Sequence, residues 1–276
     1  MVQTWLITGT SSGFGRLLTE RLLERGDRVA ATLRKEGALD DLKSKHGDRL
    51  WIASLDLTDT AAIRETVNGA FSELGRIDVV VSNAAYGLFG ASEEVTDEQI
   101  RHQIDTNLIG SIQLIRAVLP QLREQGGGRI LQISSEGGQI AYPNFSLYHA
   151  TKWGIEGFVE SVRQEVAPFG ISFTLIEPGP SKTDFGRGLV RPAKPLAIYD
   201  ETPAGEVRKA IDSGMFEITG NPEKMTAAIL SVAEHTPAPV RLALGKAPYY
   251  AIRNALRERL SELEAQKEIT LAMDDD

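Results

Sequence analysis

A phenol and an ammonium stand four residues apart in Tyr148-His149-Ala150-Thr151-Lys152. On a helix that spacing puts both side chains on one face. A free tyrosine titrates near pH ~10, too high for efficient proton exchange at neutrality, and a nearby cation stabilises the phenolate and lowers that value. The pair predicts proton transfer at Tyr148, tuned by Lys152. Tyrosine and lysine also meet at this spacing by chance, so the reading depends on what surrounds them. Thirteen residues upstream lies Ser135, at the end of the apolar run Arg129–Ser134, with Ser134 beside it. Parallel sheets present ligand-facing groups at such strand ends, and either serine fits that place, as does a plain strand-end hydroxyl.

A second chemical feature follows the first apolar run, Thr4–Thr8: Gly9-Thr10-Ser11-Ser12-Gly13-Phe14-Gly15, leading into a helical stretch near Arg16. Glycines here let backbone approach a pyrophosphate that a Cβ would obstruct, and the helix N-terminus offers free N–H groups and positive partial charge. The spacing is three-then-one, not G-x-G-x-x-G. A turn that serves only strand-to-helix packing is the competing reading.

With this turn on the page, the chain resembles the short-chain dehydrogenase/reductase family, whose T-G-x-x-x-G-x-G is matched by Thr8-Gly9 through Gly13-Phe14-Gly15. The resemblance runs from about Gln3 to Leu244. It implies that Gly9, Ser11, Ser12, Gly13, Phe14 and Gly15 cradle a dinucleotide. It further implies that Asp56, with Leu57 beside it, contacts adenine, that Asn83-Ala84 borders the cofactor, and that Pro178-Gly179 to Thr183 meets the nicotinamide. One departure is Ala85, where the family usually has glycine. Lys152 would also hold the nicotinamide ribose. The thirteen-residue offset to Tyr148 favours Ser135 over Ser134 as the group that hydrogen-bonds the substrate oxygen. Asn107, in Asp105-Thr106-Asn107-Leu108-Ile109-Gly110, matches the family's fourth catalytic member, although a buried asparagine could equally satisfy backbone groups.

The implied reaction is hydride transfer between a nicotinamide and a carbonyl or alcohol. Tyr148 gives or takes the proton, Ser135 orients the oxygen, and Asn107 holds a water in a relay through Lys152. The second apolar run ends at Leu33, followed by Arg34. An acid there would accept from the 2′-hydroxyl of NAD and repel the 2′-phosphate of NADP, whereas a guanidinium fork suits the phosphate. NADP(H) is therefore expected over NAD(H). Lys35 could share the role, Ser12 could add a hydroxyl contact, and Arg34 could instead be a solvated cation.

The elements that must position these residues recur regularly. Short β-branched runs stand at Thr4–Thr8, Arg28–Leu33, Leu50–Leu55, Ile77–Ser82, Arg129–Ser134, Ile171–Ile176 and Val240–Leu244, with helical spacing between them, as at Ile63, Val67, Ala70, Phe71 and Leu74. This predicts a single α/β doubly wound, Rossmann-like domain over residues 1–276, with a mostly parallel seven-stranded sheet. Prolines 178, 180, 192, 195 and 203 interrupt the rhythm, and residues 178–220 read as a lid over a substrate pocket. Asn221-Pro222-Glu223 predicts a helix start. A last helix is expected after Pro248 with Ile252, Leu256, Leu260 and Leu263 on one face, ending in a frayed tail at Asp274–Asp276.

Composition removes other classes. The formal net charge is -8 in 276 residues, with no cysteine and four histidines. An acidic surplus argues against a nucleic-acid partner. No cysteine excludes disulfides and thiolate zinc, and His46, His102 and His235 lack metal-ligand spacing, so no metal is assigned. His149 reads as structural. No G-x-S-x-G marks a serine hydrolase. No apolar run approaches a membrane span and Met1-Val-Gln-Thr-Trp lacks a basic leader region, so a cytoplasmic location is expected.

The expected pocket walls are the loop Glu136–Phe145, the lid from Ser181 to about Phe216, and the final helix. Tyr142, Phe145, Phe185, Leu189 and Phe216 would make the pocket apolar, fitting a hydrophobic ketone, aldehyde or secondary alcohol. A catalytically silent NADP-sensing protein on the same fold is the main competing reading; a sugar-nucleotide epimerase or dehydratase ranks last. The resemblance also implies a homodimer or homotetramer, with 97–123 and 146–168 as candidate faces.

Overall fold

Seven strands form one sheet in the computed structural model, which describes residues 2–274. They are β1 (Thr4–Thr8), β2 (Arg28–Leu33), β3 (Leu50–Ser54), β4 (Val79–Ser82), β5 (Gly128–Ile133), β6 (Ile171–Pro178) and β7 (Arg241–Leu244), in the order β3-β2-β1-β4-β5-β6-β7. Every pairing is parallel, including β6 with the edge strand β7. The chain reverses its winding between β1 and β4, and the crevice at the carboxyl ends of these strands is where such sheets bind ligands. β1 and β2 span the residues expected, and each of the other five strands differs by one or two residues at an end, where hydrogen bonding begins or stops.

The strands are apolar on both faces because helices cover both. On β1, Leu6 packs into one core while Trp5 and Ile7 enter the other, as the two-residue period of a strand requires. The first core gathers Val80, Ile130 and Leu175 beneath α3 (Thr60–Leu74), α5 (Gly110–Glu124) and α6 (Ser146–Val166). The second gathers Val29, Val81 and Leu131 beneath α1 (Gly13–Arg25), α2 (Asp40–His46) and α8 (Pro222–Ala233). Asn221 caps α8 as expected, through Lys224 N at 3.0 Å, and Asp59 caps α3 through Ala61 N and Ala62 N.

Three features differ from the expected arrangement. A short helix α4 (Asp97–Ile104) runs into α5 through a π-turn at Asp105–Ile109. The lid is not structureless, since α7 (Pro203–Asp212) lies within it. The last helix, α9 (Lys246–Ala265), starts before Pro248, which its first turn tolerates because no intrahelical donor is lost there. Leu256, Leu260 and Leu263 on α9 are exposed, so the apolar stripe read from the sequence does not enter the core. A final turn α10 (Lys267–Leu271) follows; Asp275 and Asp276 of the expected tail lie outside the described residues. No helix among the described residues is long and apolar enough to cross a membrane.

Candidate active site

The glycine turn meets the carboxyl end of β4 without room for side chains. A Cβ on Gly9 would stand 2.8 Å from Ala84 Cα, and one on Gly15 would stand 2.2 Å from Gly9 O. Gly9 and Gly13 also have φ of +71° and +56°, the region that glycine enters without penalty. Asn83 braces this turn. Its Nδ2 donates to Thr8 O at 2.8 Å and to Gly9 O at 3.1 Å, while Thr8 Oγ1 accepts from Asn83 N and Ala84 N. Ala85 has no positive φ, so the departure from glycine there costs no strain.

At the start of α1, Ser12 is the N-cap but its side chain makes no capping bond, and no acid occupies the first turn. Donors and positive partial charge are thus left for an anion. Thr183 closes the turn from the other side, its Cβ 3.6 Å from where a Gly13 Cβ would stand. Arg34 is 66% exposed beyond the end of β2, with Nη1 3.9 Å from Asp56 Oδ2. Asp56 also accepts from Thr58 N and Thr58 Oγ1. Leu57 is buried against Gly110, where a Cβ would lie 2.6 Å from Leu57 O. The cradle that side chains would fill, the free helix N-terminus and the cation beyond β2 fit a dinucleotide.

The fold brings Ser135, Tyr148 and Lys152 together and buries all three. Ser135 follows β5, with its hydroxyl accepting from Gly137 N at 3.1 Å and donating to Pro178 O at 3.5 Å. Lys152 donates from Nζ to Ile133 O at 2.9 Å and lies 5.6 Å from the Tyr148 ring centre. Burial pushes the Tyr148 phenol up to about 12; the Ser135 hydroxyl draws it down and the Glu136 charge adds to the rise. Burial pushes Lys152 down to about 8, against the charge of Glu156. At neutral pH the pair is therefore a protonated phenol beside a mostly protonated amine.

Asn107 lies in the π-turn, which is a common device at functional positions. Its Oδ1 accepts from Tyr86 N at 3.1 Å and its Nδ2 donates to Tyr86 O at 2.8 Å. One amide hydrogen and one lone pair are left over, the capacity that a relay water would use.

Two carboxylates that sequence reading missed shape the site. Glu156 continues the four-residue spacing of Tyr148 and Lys152, a signal visible in the sequence. Its Oε1 accepts from Ser134 Oγ, its Oε2 from Gln139 Nε2, and Arg241 Nη2 lies 3.3 Å from Oε2. Glu94 fastens the lid by accepting from Ala91 N at 2.8 Å, Leu196 N at 2.7 Å and the Arg208 guanidinium. Burial would raise the Glu94 carboxyl, but these donors hold it below its usual range. Backbone bonds from Phe89 N to Val190 O and from Val190 N to Gly87 O add a short parallel bridge to the lid.

Of the expected pocket walls, Tyr142, Phe145 and Leu189 form one apolar cluster with Tyr148, together with Phe89, Val207 and Ile211. Phe185 stacks at a tilt on Tyr148, 5.6 Å between centres. Phe216 is half-buried outside that cluster. His149 is buried and neutral, pushed down to about 4 by burial, and sits in edge contact with Tyr142.

A family model described as short chain dehydrogenase matches residues 3–193. A 3-ketodihydrosphingosine reductase of Bacteroides thetaiotaomicron is 34% identical over 247 residues, covering 88% of each chain. The crystal structure of a short-chain dehydrogenase from Streptomyces avermitilis is 36% identical, with a TM-score of 0.90 over 100% of this chain and 99% of that one. The closed form of a serine dehydrogenase complexed with NADP+ is 31% identical, with a TM-score of 0.72 over 88% of this chain and 93% of that one. With its all-parallel doubly wound sheet and its glycine turn, the chain belongs to the short-chain dehydrogenase/reductase family of oxidoreductases.

Proposed function

We propose that this oxidoreductase interconverts a hydrophobic ketone or aldehyde and its alcohol with NADP(H), using Tyr148 as proton donor and acceptor. The observation that carries the reading is the buried, protonated Tyr148 phenol flanked by Ser135 and Lys152 within an apolar cluster. A bound nicotinamide supplies or accepts the hydride. The Tyr148 hydroxyl holds the proton that the carbonyl oxygen receives, and the phenol carries that proton at neutral pH, as the acid role in reduction requires. Ser135 Oγ orients the same oxygen. Lys152 keeps two ammonium hydrogens beyond its bond to Ile133 for the nicotinamide ribose and the relay. Asn107 holds the Tyr86 loop and the relay water.

Gly9, Ser11, Ser12, Gly13, Phe14, Gly15, Asn83 and Ala84 cradle the dinucleotide, with Asp56 and Leu57 toward adenine and Pro178, Gly179 and Thr183 toward the nicotinamide. Arg34, exposed and only loosely held by Asp56, supports the preference for the 2′-phosphate. The exposed Ile109 and Trp153 on the two long helical segments support self-association. The test is oxidation of NADPH and of NADH by purified protein against a panel of ketones and aldehydes. Turnover with NADPH is expected; binding of NADPH with no carbonyl reduced would favour a sensing role.

A further inference from the structure

The turn that presents Ser135 also presents a carboxyl that the fold leaves without a partner. Glu136 is only 6% exposed, yet among the described residues no ion pair or hydrogen bond acts on its carboxyl. Burial alone governs its titration and pushes it up to about 7. Glu156 and Glu177 are buried as deeply, and each lies against Arg241. A buried carboxyl costs the folded state unless something pairs with it.

Its location says what could pair with it. Glu136 Oε2 lies 3.4 Å from where a Gly179 Cβ would stand, at contact distance, while Pro248 of α9 closes on the same position at 2.3 Å. Gly179 follows Pro178, whose carbonyl accepts the Ser135 hydroxyl. Glu136 directly follows Ser135 in the turn, and its charge adds to the rise of both the Tyr142 and the Tyr148 phenol. A second unpartnered group, on α6, packs against the same turn at Gly137. His149 is 4% exposed, with neither ring nitrogen bonded, and its Nε2 lies 3.1 Å from where a Gly137 Cβ would stand. Polar groups without partners therefore border an otherwise apolar cluster, next to the reacting phenol.

We propose that Glu136 is a substrate-recognition residue, accepting a hydrogen bond from an amine or hydroxyl that the substrate carries close to its reacting carbon. The substrate is then amphiphilic, with a polar head at Glu136 and Tyr148 and an apolar remainder against Phe89, Phe145 and Leu189. This rests on the reductase reading of the site.

The test compares three ten-carbon ketones with NADPH: a plain methyl ketone, and the same ketone bearing a hydroxyl or an amine beside the carbonyl. The donor-bearing ketones are expected to exceed the plain one in kcat/KM by about tenfold or more, the scale of a hydrogen bond to a charged group. Glu136→Leu should abolish both preferences, whereas Glu136→Gln should abolish the amine preference and retain part of the hydroxyl preference. Equal kcat/KM for all three ketones, or a preference that survives Glu136→Leu, overturns the proposal. Calorimetric binding of the corresponding plain and amino alcohols to protein saturated with NADP+ separates this from the reaction itself. Tighter binding of the amino alcohol, lost in Glu136→Leu, without turnover of any ketone would retain the Glu136 site and reject the reductase reading. Turnover without any preference would do the reverse.

Discussion

Glu156 Oε1 accepts the Ser134 hydroxyl at 2.6 Å, one residue before Ser135. Its other oxygen takes the Gln139 amide, just beyond the turn Glu136–Gly138. One carboxylate thus holds both ends of the segment that presents Ser135, and it fits so closely that a Cβ on Gly138 would stand 1.9 Å from Glu156 Oε1. Glu156→Gln keeps the shape but sets an amide against the Gln139 and Arg241 donors. We expect kcat to fall about tenfold, a loss on the scale of one charged hydrogen bond, with KM for the dinucleotide little changed. Steady-state kinetics would read this, and an unchanged kcat would show that Ser135 is held without Glu156.

Tyr148→Phe removes one hydroxyl from a buried aromatic cluster and leaves the ring packing against Phe145 and Phe185 in place. Proton transfer by a positioned side chain contributes roughly a hundredfold or more. Turnover is expected to fall by at least that factor, while NADPH binding followed by fluorescence stays close to the parent value. Full turnover in this variant would remove Tyr148 from the chemistry.

Much of this site could be read before any coordinates. Trp5, Leu6 and Ile7 signal a strand buried on both faces, and Tyr148 with Lys152 signals a shared helix face, because both patterns are local periods. The same local logic applies to Glu156, one further turn along that face. It was also present at Thr202-Pro203, where an N-cap residue and a first-turn proline announce α7 as plainly as Asn221-Pro222 announces α8. Other features had no local trace. The π-turn around Asn107 accompanies the approach of Gly110 to Leu57, and the bracing of Gly9 by Asn83 joins residues 74 apart in the chain. The stripe on α9 misled for a related reason: periodicity shows that a face is apolar, not what covers it.

Arg34 faces solvent, and its contact with Asp56 at 3.9 Å is an exposed pair of little energetic weight. Redirecting its guanidinium to a 2′-phosphate therefore costs the fold little. Arg34→Ala should lower kcat/KM for NADPH about tenfold, the scale of one charge-assisted contact, and change that for NADH far less. Equal losses with both cofactors would place Arg34 outside recognition of the 2′ position.

Glu177, 2% exposed on β6, makes stability depend on pH. Burial first and the Glu156 charge second push its carboxyl from 4.5 up to about 7, against the pull of Arg241, whose Nε lies 3.0 Å away. The folded chain thus binds this proton more readily than the unfolded chain. Its contribution to stability is fully present below 4.5 and is lost as pH rises through about 7. Glu136, also pushed up to about 7 by burial, acts with the same sign, so the difference between parent and variant isolates Glu177. Glu177→Gln stays neutral throughout and leaves Arg241 its partners Glu156 and Glu160. Scanning calorimetry across this window should show the parent losing about 4 °C or more in Tm relative to the variant. Parallel curves would mean that Glu177 ionises in the folded protein as readily as in the unfolded chain.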